Sequence, residues 1–505
     1  MPRQEWSNRL SFIMAATGSA IGLGNVWRFP FVCYQNGGGA FLVPFFIAML
    51  TVGVPLLMVE FALGKLSRSG APMALRWIHP RLAWIGWFAA LAAFVVVCYY
   101  AVIMAWSFNY LWHSLSLAWG SDASTFFSKQ VLDLSEGVSP LGGIRVPVLI
   151  GLILTWISIY LILRKGVDTV SKVVMVTVPL PVVLLLVLVV RGLTLPGAME
   201  GLTYYLTPDF SILLQPSVWI AAYGQVLFSF SLGQAVLIAY ASYLPKDADV
   251  NGSAVATAAL DASFSFIAGF AVFSTLGYLA VVTHASVADV VASGPGLAFV
   301  TYPTAISLLP FGQPAFGVVF FLMLLTLGID SAFALVEGTV TAVRDWFGTP
   351  GHMTLLVTCI LAFLIGIVFT TRAGYFWLDI VDHFINNFGL VTIALGECIA
   401  VGWILGSKKF RSLVNSTSTI QVGNLFDLAV KFIAPLMLAT MLGIVFVQRL
   451  RSPYENYPDW AQFVGGWGMV LTVLLASVIL GFTRPRMEKE NSSLSIPETD
   501  KGETP

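Results

Sequence analysis

Charge is what this sequence has least of. Only 10% of its 505 residues are Asp, Glu, Lys or Arg, against 57% hydrophobic, whereas a soluble chain of this size carries roughly a quarter charged residues. That scarcity excludes an ordinary soluble globule and makes lipid the solvent for much of the surface. The 26 basic and 26 acidic residues cancel, so no basic footprint points to nucleic acid. Cysteine is scarce as well. Cys33, Cys98, Cys359 and Cys398 are the only four, and all lie in apolar runs, without a metal pattern or a loop disulfide. The five histidines, His79, His113, His284, His352 and His383, are dispersed and lie mostly near loops. There is no His-Glu-x-x-His zinc motif and no Gly-x-Ser-x-Gly elbow, so an intramembrane enzyme has no visible machinery. Neither an enzymatic activity nor an organic cofactor is expected.

What is present is a succession of apolar runs. About twelve membrane spans are expected, near residues 10–35, 39–63, 82–111, 147–164, 167–190, 217–241, 254–283, 315–345, 351–370, 376–405, 427–448 and 461–483. With both termini inside, roughly nineteen Lys and Arg residues fall on the inner side and six on the outer, with Arg28 inside the first span. This predicts a multi-pass protein of the cell inner (plasma) membrane with cytoplasmic ends. No cleavable leader is expected, because the first run is long and carries Asn25 and Arg28. The longest outer loop, about 112–146, is polar and reads as solvated, while about 284–313 reads as a surface-packed or re-entrant hairpin. Residues 486–505 are polar and predict a disordered cytoplasmic tail.

The first run is interrupted at its centre. Gly18-Ser19-Ala20-Ile21-Gly22-Leu23-Gly24-Asn25 is poor material for a rigid helix. A break there frees backbone groups at membrane depth, which are tolerated only where protein, water or a ligand satisfies them. The segment is therefore a binding site made of backbone, or a kinked helix closely packed through Gly18 and Gly22. A second interruption, Gln225-Val226-Leu227-Phe228-Ser229-Phe230-Ser231-Leu232-Gly233-Gln234, falls in the sixth run. Two breaks five spans apart favour the site reading and point to an inverted-repeat transporter with its site at mid-membrane. Half-helix N-termini can then face an anionic group, and freed carbonyls can hold a cation. The competing class is an ion channel, but channels repeat a pore element by symmetry, which two non-equivalent breaks do not.

These same residues, together with Trp27-Arg28-Phe29-Pro30 and Asn36-Gly37-Gly38-Gly39-Ala40-Phe41, resemble the neurotransmitter:sodium symporters. That family includes bacterial amino-acid transporters of the LeuT type and animal monoamine, glycine and GABA transporters. The resemblance covers spans one to ten by motif and the last two by hydropathy alone. It implies an all-α polytopic LeuT-like fold: a 5+5 inverted repeat with discontinuous helices 1 and 6, plus two extra C-terminal helices. Residues 1–485 would then be one transporter domain, with repeats at about 10–190 and 217–405 and extra spans at about 427–483. It also implies coupled uptake of a small amine or amino acid with sodium.

The resemblance carries residue roles with it. One sodium site aligns with the carbonyls of Gly18 and Ile21 and with Leu327, Asp330 and Ser331. The other aligns with the Ala20 carbonyl, Asn25, Ser229 and Asp261. Substrate contacts align with Ser19, Ala20, Leu23, Gly24, Val96, Tyr100, Phe228, Ser229, Ser231, Gln234, Ser331 and Leu335. An outer gate aligns with Arg28 and Asp382, an inner gate with Arg3 and Asp345. Chemistry agrees with these roles. Hard cations take oxygen ligands, and a mid-span carboxylate such as Asp330 is costly unless it is paired or functional. Arg28 and Asp382 are a pair made on closure or a permanent buried bridge. Glu60 and Glu397, also mid-span, are expected to accept hydrogen bonds from the unwound backbone.

Gly22 bears on the substrate. Monoamine transporters of the family carry an aspartate there, and its absence implies a substrate bringing its own carboxylate, hence a neutral amino acid or another small carboxylate-bearing amine. Gln234 stands where relatives are usually apolar, which leaves the side-chain preference open. Chloride-dependent relatives hold the anion with a tyrosine, a glutamine and serines. Gln225, Ser229 and Ser265 fit that pattern, but Phe45 replaces the tyrosine and Asp261 an asparagine. Asp261 and Ser265 lie one helical turn apart on one face, and a fixed carboxylate there does the electrostatic work of a chloride. Chloride-independent transport is therefore expected.

Overall fold

The computed structural model describes residues 3–291 and 294–486, so all but the first residue of the expected polar tail lies outside the described residues. Among these, ten continuous helices are long and apolar enough to cross a membrane. They are the second span Gly38–Ser67, third Pro80–Ser114, fourth Val146–Leu163, fifth Val167–Leu193, seventh Val250–Thr283, eighth Gln313–Phe347, ninth Gly351–Thr370, tenth Gly374–Asn415, eleventh Asn424–Asn456 and twelfth Asp459–Phe482. The first span is the pair Arg9–Ala20 and Leu23–Gln35, bent by 56° at the break. The sixth folds as Pro216–Ser229 and Val236–Ala241 with turns between. At 14 and 6 residues, neither half alone reaches the roughly twenty that a crossing helix needs.

Local chemistry sets the breaks. Asn8 caps the first half-helix by accepting the Ser11 N–H at 2.8 Å. The helix stops at Ala20, where Ile21 and Gly22 turn extended, and restarts at Leu23. In the sixth span the chain leaves helical geometry through positive φ at Ser231 (52°), Gly233 (74°) and Ala235 (60°). Two of these three are not glycine, and such conformations persist only where surrounding contacts hold them. The seventh helix is capped by Asp249, which accepts the Gly252 N–H at 2.9 Å. Burial opposes ionisation of that carboxyl, but the Thr419 hydroxyl, the Gly252 N–H and Arg9 together hold it below the usual carboxylate range.

The core sits between the third and eighth spans, which pack along each other. Of their most apolar windows, 78% and 72% are buried inside the protein, against 22% and 28% for the eleventh and twelfth. The last two spans are therefore peripheral and face lipid. The polar segment after the third span is more than a solvated loop. Trp119, Phe126, Phe127, Val131 and Leu132 are buried, and the Trp119 indole donates to the Pro303 carbonyl (3.0 Å) and the Ser307 hydroxyl (2.8 Å). Its partner, Leu297–Ser307, is helical and stacks Phe299 on Phe127. Scattered aromatics in polar sequence have no period, so periodicity does not reveal this cap.

Candidate functional site

The two breaks meet. The Ser231 hydroxyl donates to the Ser19 carbonyl at 2.8 Å, joining the end of the first half-helix to the start of the sixth-span turn. Around this contact lies a cavity of about 560 Å³, its open mouth included. All twelve residues aligned with substrate contacts line it: Ser19, Ala20, Leu23, Gly24, Val96, Tyr100, Phe228, Ser229, Ser231, Gln234, Ser331 and Leu335. Gly24 is required by packing, because a Cβ there would stand 2.4 Å from a Phe228 ring carbon. Among the described residues the buried Tyr100 hydroxyl has no hydrogen-bond partner, with Ser331 and the Leu23 backbone beside it. A buried donor without an acceptor suits an anionic ligand group facing the Leu23 half-helix N-terminus.

Next to the cavity lies a buried polar cluster. The Asn25 amide donates to Asp261 (2.7 Å), Ser265 (2.8 Å) and Ser229 (3.1 Å), while its carbonyl oxygen accepts the Gly22 N–H at 2.8 Å. The Ser229 hydroxyl donates to the other Asp261 oxygen at 2.7 Å. The remaining member of this set, the Ala20 carbonyl, sits at the half-helix end where backbone acceptors lose their helical partners. A second cluster gathers on the eighth span. Leu327, Asp330 and Ser331 share one helix face by spacing, and a Cβ on Gly18 would lie 3.0 Å from an Asp330 oxygen. The other Asp330 oxygen accepts the Thr177 hydroxyl of the fifth span at 2.7 Å. Ile21 lies at the adjoining half-helix end.

The donor sets fit a hard monovalent cation. Each set brings carbonyls, a hydroxyl and one carboxylate, the Asn25 amide nitrogen serving to donate to the Asp261 cluster, and among the described residues no trio of His, Cys, Asp or Glu could hold a metal. Asp261 (0% exposed) and Asp330 (2%) are buried, and neither forms an ion pair among the described residues. A buried negative charge without a cation is costly, and a bound sodium removes that cost.

The expected gates are in different states. Arg3 and Asp345 pair at 2.8 Å, reinforced by the Gly70 N–H on Asp345 and by Arg3 on the Ser242 hydroxyl. That end is shut. At the other end no ion pair joins Arg28 to Asp382 among the described residues. Arg28 lies 4.3 Å over the Phe228 ring, and one Asp382 oxygen accepts from Tyr99 (2.6 Å) and Asn386 (2.8 Å). Tyr99, Asp382 and Asn386 line the cavity, which extends towards this end.

One expectation needs adjusting. Glu60 does accept from the unwound backbone, taking the Gly233 N–H at 2.8 Å. Glu397 does not: among the described residues neither of its oxygens has a hydrogen-bond partner. Phe45 sits in an aromatic cluster with Phe29 and Phe41, and Gln225 is buried with both polar side-chain atoms unpartnered. Sequence reading missed Thr177, Tyr99 and Asn386. Each is a polar residue at an ordinary helical position, where only the tertiary neighbour discloses a role.

The family model described as the sodium:neurotransmitter symporter family matches residues 3–126 and 118–485. An uncharacterized sodium-dependent transporter of Methanocaldococcus jannaschii is 42% identical over 481 residues, covering 95% of this chain and 98% of that protein. The sodium- and chloride-dependent GABA transporter 2 of Rattus norvegicus is 33% identical, covering 94% of this chain and 85% of that protein. The human protein of the same name is 31% identical over the same shares. The family model runs through both breaks, both gate pairs and both polar clusters, and on these matches the chain belongs to the sodium:neurotransmitter symporter family.

Proposed function

We propose that this chain imports a small neutral amino acid by sodium-coupled alternating access, with two sodium sites and no requirement for chloride. The observation that carries the reading is the Tyr100 hydroxyl, buried without a partner beside the half-helix N-terminus at Leu23, in a cavity with no Lys or Arg in its lining. A substrate carboxylate would accept from Tyr100 and from the half-helix N–H groups, its amine would lie against the carbonyls of the breaks, and its side chain would lie between Val96 and Phe228. Without a cation in the lining, an acidic side chain would have no counter-charge.

Sodium at the Gly18, Ile21, Leu327, Asp330 and Ser331 site would pull the eighth span onto the first break. Sodium at the Ala20, Asn25, Ser229 and Asp261 site would lie beside the substrate carboxylate. Each ion thus stabilises the closed-in substrate, and the coupling is reciprocal. The pairing of Arg3 with Asp345 and the separation of Arg28 from Asp382 support an outward-open state, in a plasma or inner membrane with both ends cytoplasmic. A 5+5 inverted repeat, as the resemblance implies, would supply the rocking elements.

The GABA transporters matched above are named as chloride-dependent. In this chain the Asp261 carboxylate already lies on the Asn25–Ser229–Ser265 cluster, and Phe45 offers no hydroxyl. A second anion beside a fixed carboxylate would be repelled. A binding screen of the amino acids in sodium and in potassium tests the reading. Sodium-dependent binding of neutral amino acids supports it, and binding that is equal in potassium rejects it.

A further inference from the structure

We propose that the faces of the tenth and eleventh spans around Trp403 and Lys431 bind the phosphate headgroup of an anionic phospholipid. Lys431 stands on the eleventh span, Asn424–Asn456. Its ammonium lies 5.0 Å from the centre of the Trp403 ring and 5.5 Å from that of the Phe432 ring. The two rings meet edge to face, with centroids 5.6 Å apart. Both look outward, Trp403 56% and Phe432 50% exposed, beside the exposed Ile404 and Leu428.

Local chemistry builds this cradle. Pro435 has no N–H to give the Lys431 carbonyl four residues before it. The Trp403 indole supplies that donor at 3.0 Å, which fixes its ring beside the ammonium. Lys431 forms no ion pair among the described residues. Ring faces attract a cation, but they leave the three N–H donors of an ammonium without an oxygen acceptor. The eleventh span is 33 residues long, about 50 Å of helix against about 30 Å of hydrocarbon. Its first turns therefore stand among the headgroups, and Lys431 is two turns in from Asn424.

Charge favours an anionic lipid over a neutral one. Between Gly402 and Gln448 the only acid is Asp427, and Arg411 already pairs with it at 3.1 Å. Arg411 stands on the helix Ser407–Asn415, so the pair joins that helix to the start of the eleventh span. Lys408 precedes Arg411 by three residues and Lys431 follows Asp427 by four, which sets one lysine about a turn from each partner. Lys408 is exposed. A phosphate oxygen would accept a charge-assisted hydrogen bond from the Lys431 ammonium. Trp403 and Phe432 would lie against the lipid at the interface, as aromatic belts do, while Lys408 and Lys409 add the attraction of juxtamembrane cations for a negative headgroup. This inference does not depend on the substrate or on sodium binding.

The test is tryptophan fluorescence of the full chain in phosphatidylcholine vesicles that carry a minor share of brominated lipid, which quenches on contact. The share is either brominated phosphatidylglycerol or brominated phosphatidylcholine. Wild type minus Trp403→Phe isolates the Trp403 signal. That signal should be quenched more strongly by the phosphatidylglycerol, with a preference of about fivefold or more. Lys431→Gln should abolish the preference and Lys431→Arg should keep it. Lys408→Gln combined with Lys409→Gln is a second variant on an exposed helix, and it should weaken the preference. Equal quenching by the two lipids would overturn the proposal, as would a preference that survives both sets of Gln substitutions. Quenching by neither lipid would also overturn it, since a second copy of the chain would then cover this face.

Discussion

Ser231 gives its hydroxyl hydrogen to the carbonyl of Ser19 across 2.8 Å, so the two broken spans are fastened to each other at the wall of the cavity. Ser231 holds a positive φ of 52°, a conformation that this contact helps to stabilise. Ser231→Ala leaves the Ser19 carbonyl unpaired, a loss of about 1–3 kcal/mol when buried. Substrate affinity should fall by about fivefold or more. Titration of the amino acid found in the binding screen checks this, and an unchanged affinity would mean that the fastening does not shape the pocket.

Sodium dependence should be lost on Asp330→Ala, which removes the only carboxylate of its cluster while the protein still inserts. Thr177→Ala is the subtler probe. A hydrogen bond to a charged group contributes about 1.5–3 kcal/mol, so losing the 2.7 Å contact with Asp330 should shift apparent sodium affinity by about tenfold. Uptake at graded sodium concentrations measures both. Unaltered sodium dependence in Asp330→Ala would move the ion elsewhere.

The fold was legible because lipid imposes strong rules on sequence. Every backbone group must be satisfied within the bilayer, so the glycines and serines at mid-span mark the breaks, and the long apolar runs mark nearly all the span ends. The cavity was legible through motif resemblance, which brought twelve of its nineteen lining residues. Thr177, Tyr99 and Asn386 were not, since a polar residue on a helix does not disclose its partner. The buried aromatic cap after the third span was hidden by its polar neighbours. Glu397 misled for a related reason: sequence marks it as a buried acid but does not count the backbone donors within its reach.

Gln234 is a polar residue in the cavity wall. If its amide contacts the substrate side chain, Gln234→Phe should shift preference towards apolar amino acids by about tenfold or more, because a buried hydrogen-bond partner is lost. Competition between polar and apolar amino acids reads this directly. An unchanged profile would place Gln234 outside the side-chain pocket.

Under the proposed function, Gly22 leaves room for the substrate's own carboxylate. A Cβ there would stand 3.0 Å from the Ser331 hydroxyl and 3.5 Å from that of Tyr100, so Gly22→Asp projects a carboxylate into the space assigned to the substrate's own. Like charges at such range cost several kcal/mol, and amino-acid binding should fall by about a hundredfold or more. Decarboxylated amines should lose much less. Equal losses for amino acids and amines would indicate general damage to the break.

If Asp261 with bound sodium supplies the fixed negative charge, replacing chloride by gluconate should leave wild-type uptake unchanged. Asp261→Asn should fail or become chloride-sensitive, with Ser229, Ser265 and Gln225 as the available anion donors. A wild type that stops without chloride would show that Asp261 does not take its place.

Sodium-driven accumulation of a neutral amino acid is the core of the account. The most direct measurement is uptake into proteoliposomes holding the full chain, with an inward sodium gradient and gluconate as the anion. The account predicts accumulation above the external concentration that collapses when sodium is replaced by potassium. Equilibration without accumulation, an ionic current in its place, or accumulation indifferent to sodium would contradict it.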